Sequence, residues 1–170
     1  MSAETRRVLV DRSLLQGDDL FAVVEPLYWS VDIYNGPAEY ERTLAQFSRA
    51  QRQLFAIHWY RCEVNNGGHD QFYFNSTGIV WRDALEGLRA AGLHAFAEVL
   101  LESANRLGGD PPLDREPRQD AMDEWEPSFD DLDRRFYRLE ESSGLDEALL
   151  AFARTRPEAF YFDGLVRIPK

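Results

Sequence analysis

The 170-residue chain has one cysteine, Cys62, so no disulfide can close within it. Nothing in it asks for an oxidising compartment. Lysine is almost missing: Lys170 stands alone beside 18 arginines, a skew to which we attach no function. No stretch comes near the roughly 20 consecutive apolar residues that a bilayer-spanning helix needs. The N-terminus, MSAETRRVLVDRSLLQGDD, has paired arginines but only a short, broken apolar stretch, so it does not read as a signal peptide. The cytoplasm is the expected compartment. Alternating strand patterns are also scarce, with Val166–Ile168 the only strand-like scrap. Positive charge falls short as well: 19 Lys and Arg face 30 Asp and Glu, for a net charge of -11 and a pI near 4.7. Such a chain is repelled by nucleic acid and by anionic membranes, and attracted to basic surfaces.

What is present is a globular composition, 44% hydrophobic and 13% aromatic, at the length of one ordinary domain. There is no low-complexity tract and no solenoid repeat. We expect a single domain over 1–170, with a polar leader at 1–17 and a loop at 108–118. Helical periodicity dominates. Asp19 to Ser30 places Leu20, Val23, Val24, Leu27 and Val31 on one face, with Pro26 starting or kinking a turn. Gly36-Pro37 is a stop followed by a start, and the next helix runs from Pro37 to about Phe47. Ser48 and Gln51 have capping-box spacing and open the strongest helix, Arg49 to about Val64. Asn65-Asn66-Gly67-Gly68 should end it, with a short helical turn from Asp70 to Phe74 before Asn75-Ser76-Thr77-Gly78 breaks the chain. Helices follow at Trp81–Ala91, Leu93–Leu107, about Gln119–Trp125, a segment capped by Ser128 and ended at Gly144, and Leu145–Arg154. The expected fold is all-α, a compact bundle of about seven to nine helices, several of them short.

The densest chemistry lies between His58 and Phe72. His58 and Cys62 share a helical face, and His69 and Asp70 lie just beyond the expected turn. A metal site, or a thiol-dependent enzyme, can be drawn from these four. There is, however, no second CxxC, no HExxH and no carboxylate cluster, so the spacing is not diagnostic. The plainer reading has Asn65, Asn66, His69, Asp70 and Gln71 hydrogen-bonding backbone where helices end. No G-x-S-x-G elbow is present, and Gly67-Gly68 lacks the Lys-Ser/Thr of a phosphate loop. A lone cysteine on a packed helix is usually a small core residue. We therefore expect no catalytic residues, no metal and no cofactor.

The charge imbalance is local. From Asp110 to Glu147 there are 14 acidic residues against five arginines, while the remainder holds 16 acidic and 14 basic residues. Charge runs are commonly solvated faces. Here the carboxylates interleave with aromatics expected in the core, Trp125, Phe129, Phe136 and Tyr137, which should hold the charges in fixed places. Like charges one helical turn apart also cost stability, which a purely structural role does not explain. The residues expected to bind a partner are Asp120, Asp123, Glu124, Glu126, Asp130, Asp131, Asp133, Glu140 and Glu141.

The stretch from Phe55 to Gly87, and within it Asn65-Asn66-Gly67-Gly68-x-x-Gln71-Phe72, resembles a bacterial DNA-mimic protein family of the DMP-nineteen type. The resemblance extends through Leu132-Asp-Arg-Arg-Phe-Tyr and Leu145 to Phe160, covering most of residues 20 to 160. Asn65, Asn66, Gly67, Gly68, Gln71 and Asn75 then mark the fold and not a catalytic centre. The resemblance implies a helical, cytoplasmic protein whose acidic surface imitates DNA for a DNA-binding regulator. Mimicry depends on surface carboxylates, which the motif does not include. The expected partner is a basic DNA-binding protein, such as a helix-turn-helix regulator, and neither nucleic acid nor membrane; the protein would act as a monomer or homodimer. An acidic immunity or inhibitor protein against a basic toxin or nuclease would use the same physics.

Overall fold

The computed structural model describes residues 3–169, and it is helical throughout most of its length. Nine α-helices are found among the described residues: α1 (Arg12–Leu15), α2 (Leu20–Ser30), α3 (Pro37–Leu44), α4 (Arg49–Phe74), α5 (Trp81–Ala90), α6 (His94–Asn105), α7 (Arg115–Trp125), α8 (Asp130–Ser142) and α9 (Leu145–Thr155). Short 3-10 segments at Ser76–Val80 and Pro157–Phe160 join them. Among the described residues no helix is long and apolar enough to cross a membrane.

Local chemistry accounts for the starts of the first four helices, α1 to α4. The Asp19 carboxylate accepts from the Ala22 amide and opens α2, which continues through Pro26 and buries Leu20, Val23, Val24 and Leu27. Gly36, at φ +86°, precedes Pro37 at the first position of α3. Ser48 and Gln51 form the expected reciprocal capping box at the start of α4. Gln51 also donates to the carbonyls of Phe160 and Tyr161, tying the C-terminal segment to this helix.

The central element is α4, which packs against α2, α5, α7 and α8. Its glycine pair does not end it. Gly67 and Gly68 leave the helical conformation, at φ -159° and +74°, and the chain then resumes as helix through Phe74. The second half has a cap brought from 64 residues away: an Asp133 oxygen on α8 accepts from the His69 amide at 2.9 Å. A side-chain carboxylate thus satisfies one of the unpaired donors of a new helical start. A Cβ at Gly68 would overlap that carboxylate, so glycine is required there for space as well as for its backbone angle.

Two strands form where the sequence offered only the scrap at Val166–Ile168: β1 (Ala3–Val10), in the polar leader, pairs antiparallel with β2 (Phe162–Pro169), in the register Ala3↔Pro169 to Val10↔Phe162. Val8, Val10 and Val166 face the core, so the ribbon closes the apolar side of α2. The expected loop at 108–118 is shorter, because α7 begins at Arg115. Ser128 does not cap α8: Phe129 holds that position without a side-chain bond, and the Ser128 carbonyl instead accepts from Arg106.

Candidate functional site

Helix α7 divides its charges between two faces. Arg115, Arg118 and Gln119, spaced as one helical face, turn inward onto the end of α4. The last carbonyls of a helix have no partner within it, and its C-terminus carries partial negative charge. Arg118 is fully buried and meets this need. Its Nε donates to the Tyr73 carbonyl (2.7 Å), Nη2 to Asn75 (2.6 Å), and Nη1 to Pro112 (3.0 Å) and Leu113 (2.7 Å). Arg115 and Gln119 both donate to the Phe74 carbonyl, at 3.1 and 2.9 Å. Burial pushes the Arg118 guanidinium down to about 10, so it stays charged at neutral pH. Gly78 makes room for it, since a Cβ there would collide with the guanidinium.

With its cations turned inward, α7 presents carboxylates outward. Glu116, Asp120, Asp123 and Glu124 recur at helical spacing on the exposed side, flanked by Asp114 and Glu126. Asp130 continues the series at the start of α8. None of these seven has a cationic nitrogen within 4.0 Å among the described residues. Elsewhere pairing with arginine is common. Glu39, Glu41, Glu86, Glu98, Glu102, Asp110 and Glu147 each sit against an arginine.

Of the residues expected to bind a partner, Asp120, Asp123, Glu124, Glu126, Asp130 and Glu141 are exposed and unpaired among the described residues. Three others have structural work. Asp131 is held by two bonds to Arg106, which keeps its carboxyl far below the usual range. Asp133 caps the second half of α4 and takes a 2.5 Å bond from His69 Nδ1. Glu140 accepts from Arg61 and from Asn65. The exposed band therefore centres on α7 and the first turn of α8, and does not run on to Glu140. Sequence reasoning missed Asp114 and Glu116 as members of this band, and Asp70 beside it. For Asp70, burial and charge show the placement. Desolvation, then the charges of Asp133 and Asp130, raise its carboxyl above the usual range, which places it in the same anionic neighbourhood.

Trp125 is not a core residue; it is 54% exposed at the end of α7, among the carboxylates. Tyr137 is half-buried and donates to the Val64 carbonyl at 2.8 Å. Phe129 and Phe136 are buried as expected.

The Asn-Asn-Gly-Gly segment is organised by carboxylates and not by backbone groups. Asn65 donates to Glu140, while Gln71 and Asn75 both donate to Glu63. His69 is fully buried, bridging Asp133 through Nδ1 and the Tyr60 hydroxyl through Nε2 (2.9 Å). His58 and Cys62 do meet, at 3.7 Å, on a different part of α4. Partial desolvation raises the Cys62 thiol, the opposite of what activates a thiolate, and burial holds His58 low. Among the described residues no three His, Cys, Asp or Glu side chains converge in a metal-binding group. The four residues considered for metal or thiol chemistry are thus not brought together.

The family model described as DMP19-like protein matches residues 45–156 of the chain, from the turn before α4 to the end of α9. None of the curated proteins and none of the solved structures matches it.

Proposed function

We propose that this chain, which belongs to the DMP19-like family, binds a basic protein through the outer face of α7 and the start of α8, covering the surface that the partner would otherwise offer to DNA. The observation that carries this reading is the division of α7, with arginines spent on docking and carboxylates left bare to solvent. From Asp114 to Glu126 the band runs about 18 Å at the helical rise per residue. A duplex of that length carries about ten phosphates on its two strands. The six carboxylates of this segment, widened by Asp70 and Asp130, are enough to match the roughly five phosphates on the one side that a bound protein meets. Trp125 adds an aromatic face on which a partner arginine can stack.

Such an interface draws a cationic partner at a raised association rate, and salt weakens it because exposed charges are screened over about 8–10 Å. The test is capture on the immobilised chain, followed by a gel-shift assay of the captured protein with duplex DNA. The chain should displace the DNA, and the variant Asp120→Lys/Asp123→Lys/Glu124→Lys should not. Capture and displacement unchanged by the triple reversal would overturn this function.

A further inference from the structure

The first turns of α4 meet the ends of α5 and α9 around a cavity of about 380 Å³, within the size range of small-molecule sites. Ala50, Gln53 and the half-buried Phe152 form its inner wall, and the exposed residues Arg49, Arg89 and Arg156 stand around it. It lies at the opposite end of α4 from α7.

Gln53 sets this cavity apart from an ordinary surface dent. The residue is only 7% exposed, and its amide has no hydrogen-bond partner among the described residues. Neither polar atom of that amide is sealed from solvent, and the opening they reach is the cavity that Gln53 lines. Gln51, two residues earlier and equally buried, spends its amide in full: it accepts from the Ser48 amide and donates to the Phe160 and Tyr161 carbonyls. Buried side-chain amides are ordinarily met by protein groups, and one turned to a cavity is left for what enters it. The charges of the walls are unequal as well. Glu86 is the one carboxylate lining the cavity, and Arg49 holds it at 2.8 Å. Arg89 and Arg156 have no carboxylate within 4.0 Å among the described residues. In a chain of net charge -11, this cavity carries an excess of positive charge.

We propose that this cavity binds a nucleoside monophosphate, its base against Phe152 with an edge on the Gln53 amide, and its phosphate held by Arg89 and Arg156. An amide presents a donor and an acceptor side by side, as a base edge does, and the fork of a guanidinium matches phosphate oxygens. An aromatic side chain takes any base by its ring face. A polynucleotide is disfavoured, because the chain as a whole is acidic and would repel the phosphates that run beyond this patch. The site is separate from the acidic face of α7, and its test does not depend on that reading. The full chain would be titrated by isothermal calorimetry with AMP, GMP, CMP and UMP, and with inorganic phosphate and the matching nucleoside as controls. At least one nucleotide should bind at micromolar to millimolar concentration, and phosphate or nucleoside alone at least tenfold more weakly. Arg89→Gln, Arg156→Gln and Gln53→Leu should each weaken binding about fivefold or more. Gln53→Leu should also leave the melting temperature of the free protein unchanged or raised, because the amide it removes has no protein partner. The two arginine variants change exposed side chains, so they test the site even if the Gln53 variant folds poorly. Silence of all four nucleotides, inorganic phosphate binding as tightly as the nucleotide, or an affinity unchanged in Gln53→Leu or in both arginine variants would overturn the proposal.

Discussion

Replacing Arg118 with methionine keeps much of the side-chain volume and removes every donor that holds α7 onto α4 from that position. The guanidinium bonds backbone carbonyls at the end of α4 and in the loop before α7, and no carboxylate shares the site. Loss of the donors leaves the carbonyls of Tyr73, Pro112 and Leu113 short of a partner, at about 1–3 kcal/mol for each buried unsatisfied group. Relief from burying a charge offsets part of this. The expected net loss is about 3 kcal/mol, a large share of the roughly 5–15 kcal/mol that holds an ordinary domain together. For a chain of this size that lowers the melting temperature by about 6–12 °C. Lysine should recover less than half of the loss, because its compact ammonium cannot span carbonyls on both sides of the guanidinium plane. Urea titration followed by circular dichroism gives the free energy, and hydrogen exchange should show α7 amides losing protection before those of α5. A methionine variant within about 1 kcal/mol of the parent, with an unchanged denaturant slope, would refute the docking argument.

Four further outcomes are expected. Gly68→Ala should cost about 3–4 kcal/mol, combining the strain of a backbone essentially reserved for glycine (φ +74°, ψ -175°) with displacement of the Asp133 cap, whereas Gly36→Ala, with a matching backbone (φ +86°, ψ 177°) and no cap to displace, should cost only the backbone part, about 2 kcal/mol; equal losses in urea titration would remove the cap from the explanation. Asp133→Asn should destabilise by about 1.5–3 kcal/mol by weakening the bonds to His69, a loss read from the denaturation midpoint. Because the Asp70 carboxyl is raised in the folded state, its ionisation opposes folding, and stability falls as pH rises through the window above the ordinary aspartate value. Asp70→Asn should therefore melt about 1–2 °C higher at pH 7 and show no gain at pH 3, and a gain independent of pH would contradict the assignment. The Asp120→Lys/Asp123→Lys/Glu124→Lys variant should retain or slightly exceed the parental melting temperature, since these side chains have no cationic partner to lose.

The helical fold was legible where periodicity and local caps agree. The stripe of Leu20, Val23, Val24 and Leu27, and the Ser48–Gln51 pair, report on neighbours within a turn or two. Reading failed where the deciding partner is distant. Thr5 to Val10 shows no alternation, its arginines and its valines and leucine falling in blocks, and its pairing strand lies more than 150 residues away. Gly67-Gly68 signals a helix stop in any local reading, and only Asp133 turns it into a kink. Pro117 obscured the first turn of α7, where proline is tolerated because that amide needs no helical partner. The candidate site shows the same split. Charge counting found Asp120, Asp123, Glu124 and Asp130 but could not see Arg106 reaching Asp131, Arg61 reaching Glu140, or an arginine of the acidic stretch buried beneath it.

Because α7 anchors by one stripe and faces solvent with another, its two tasks are written in different letters of the sequence. Codons 115, 118 and 119 carry the attachment, and codons 116, 120, 123 and 124 can be rewritten without touching it. A designer, or mutation and selection, can therefore change what this helix recognises while leaving intact how it is held.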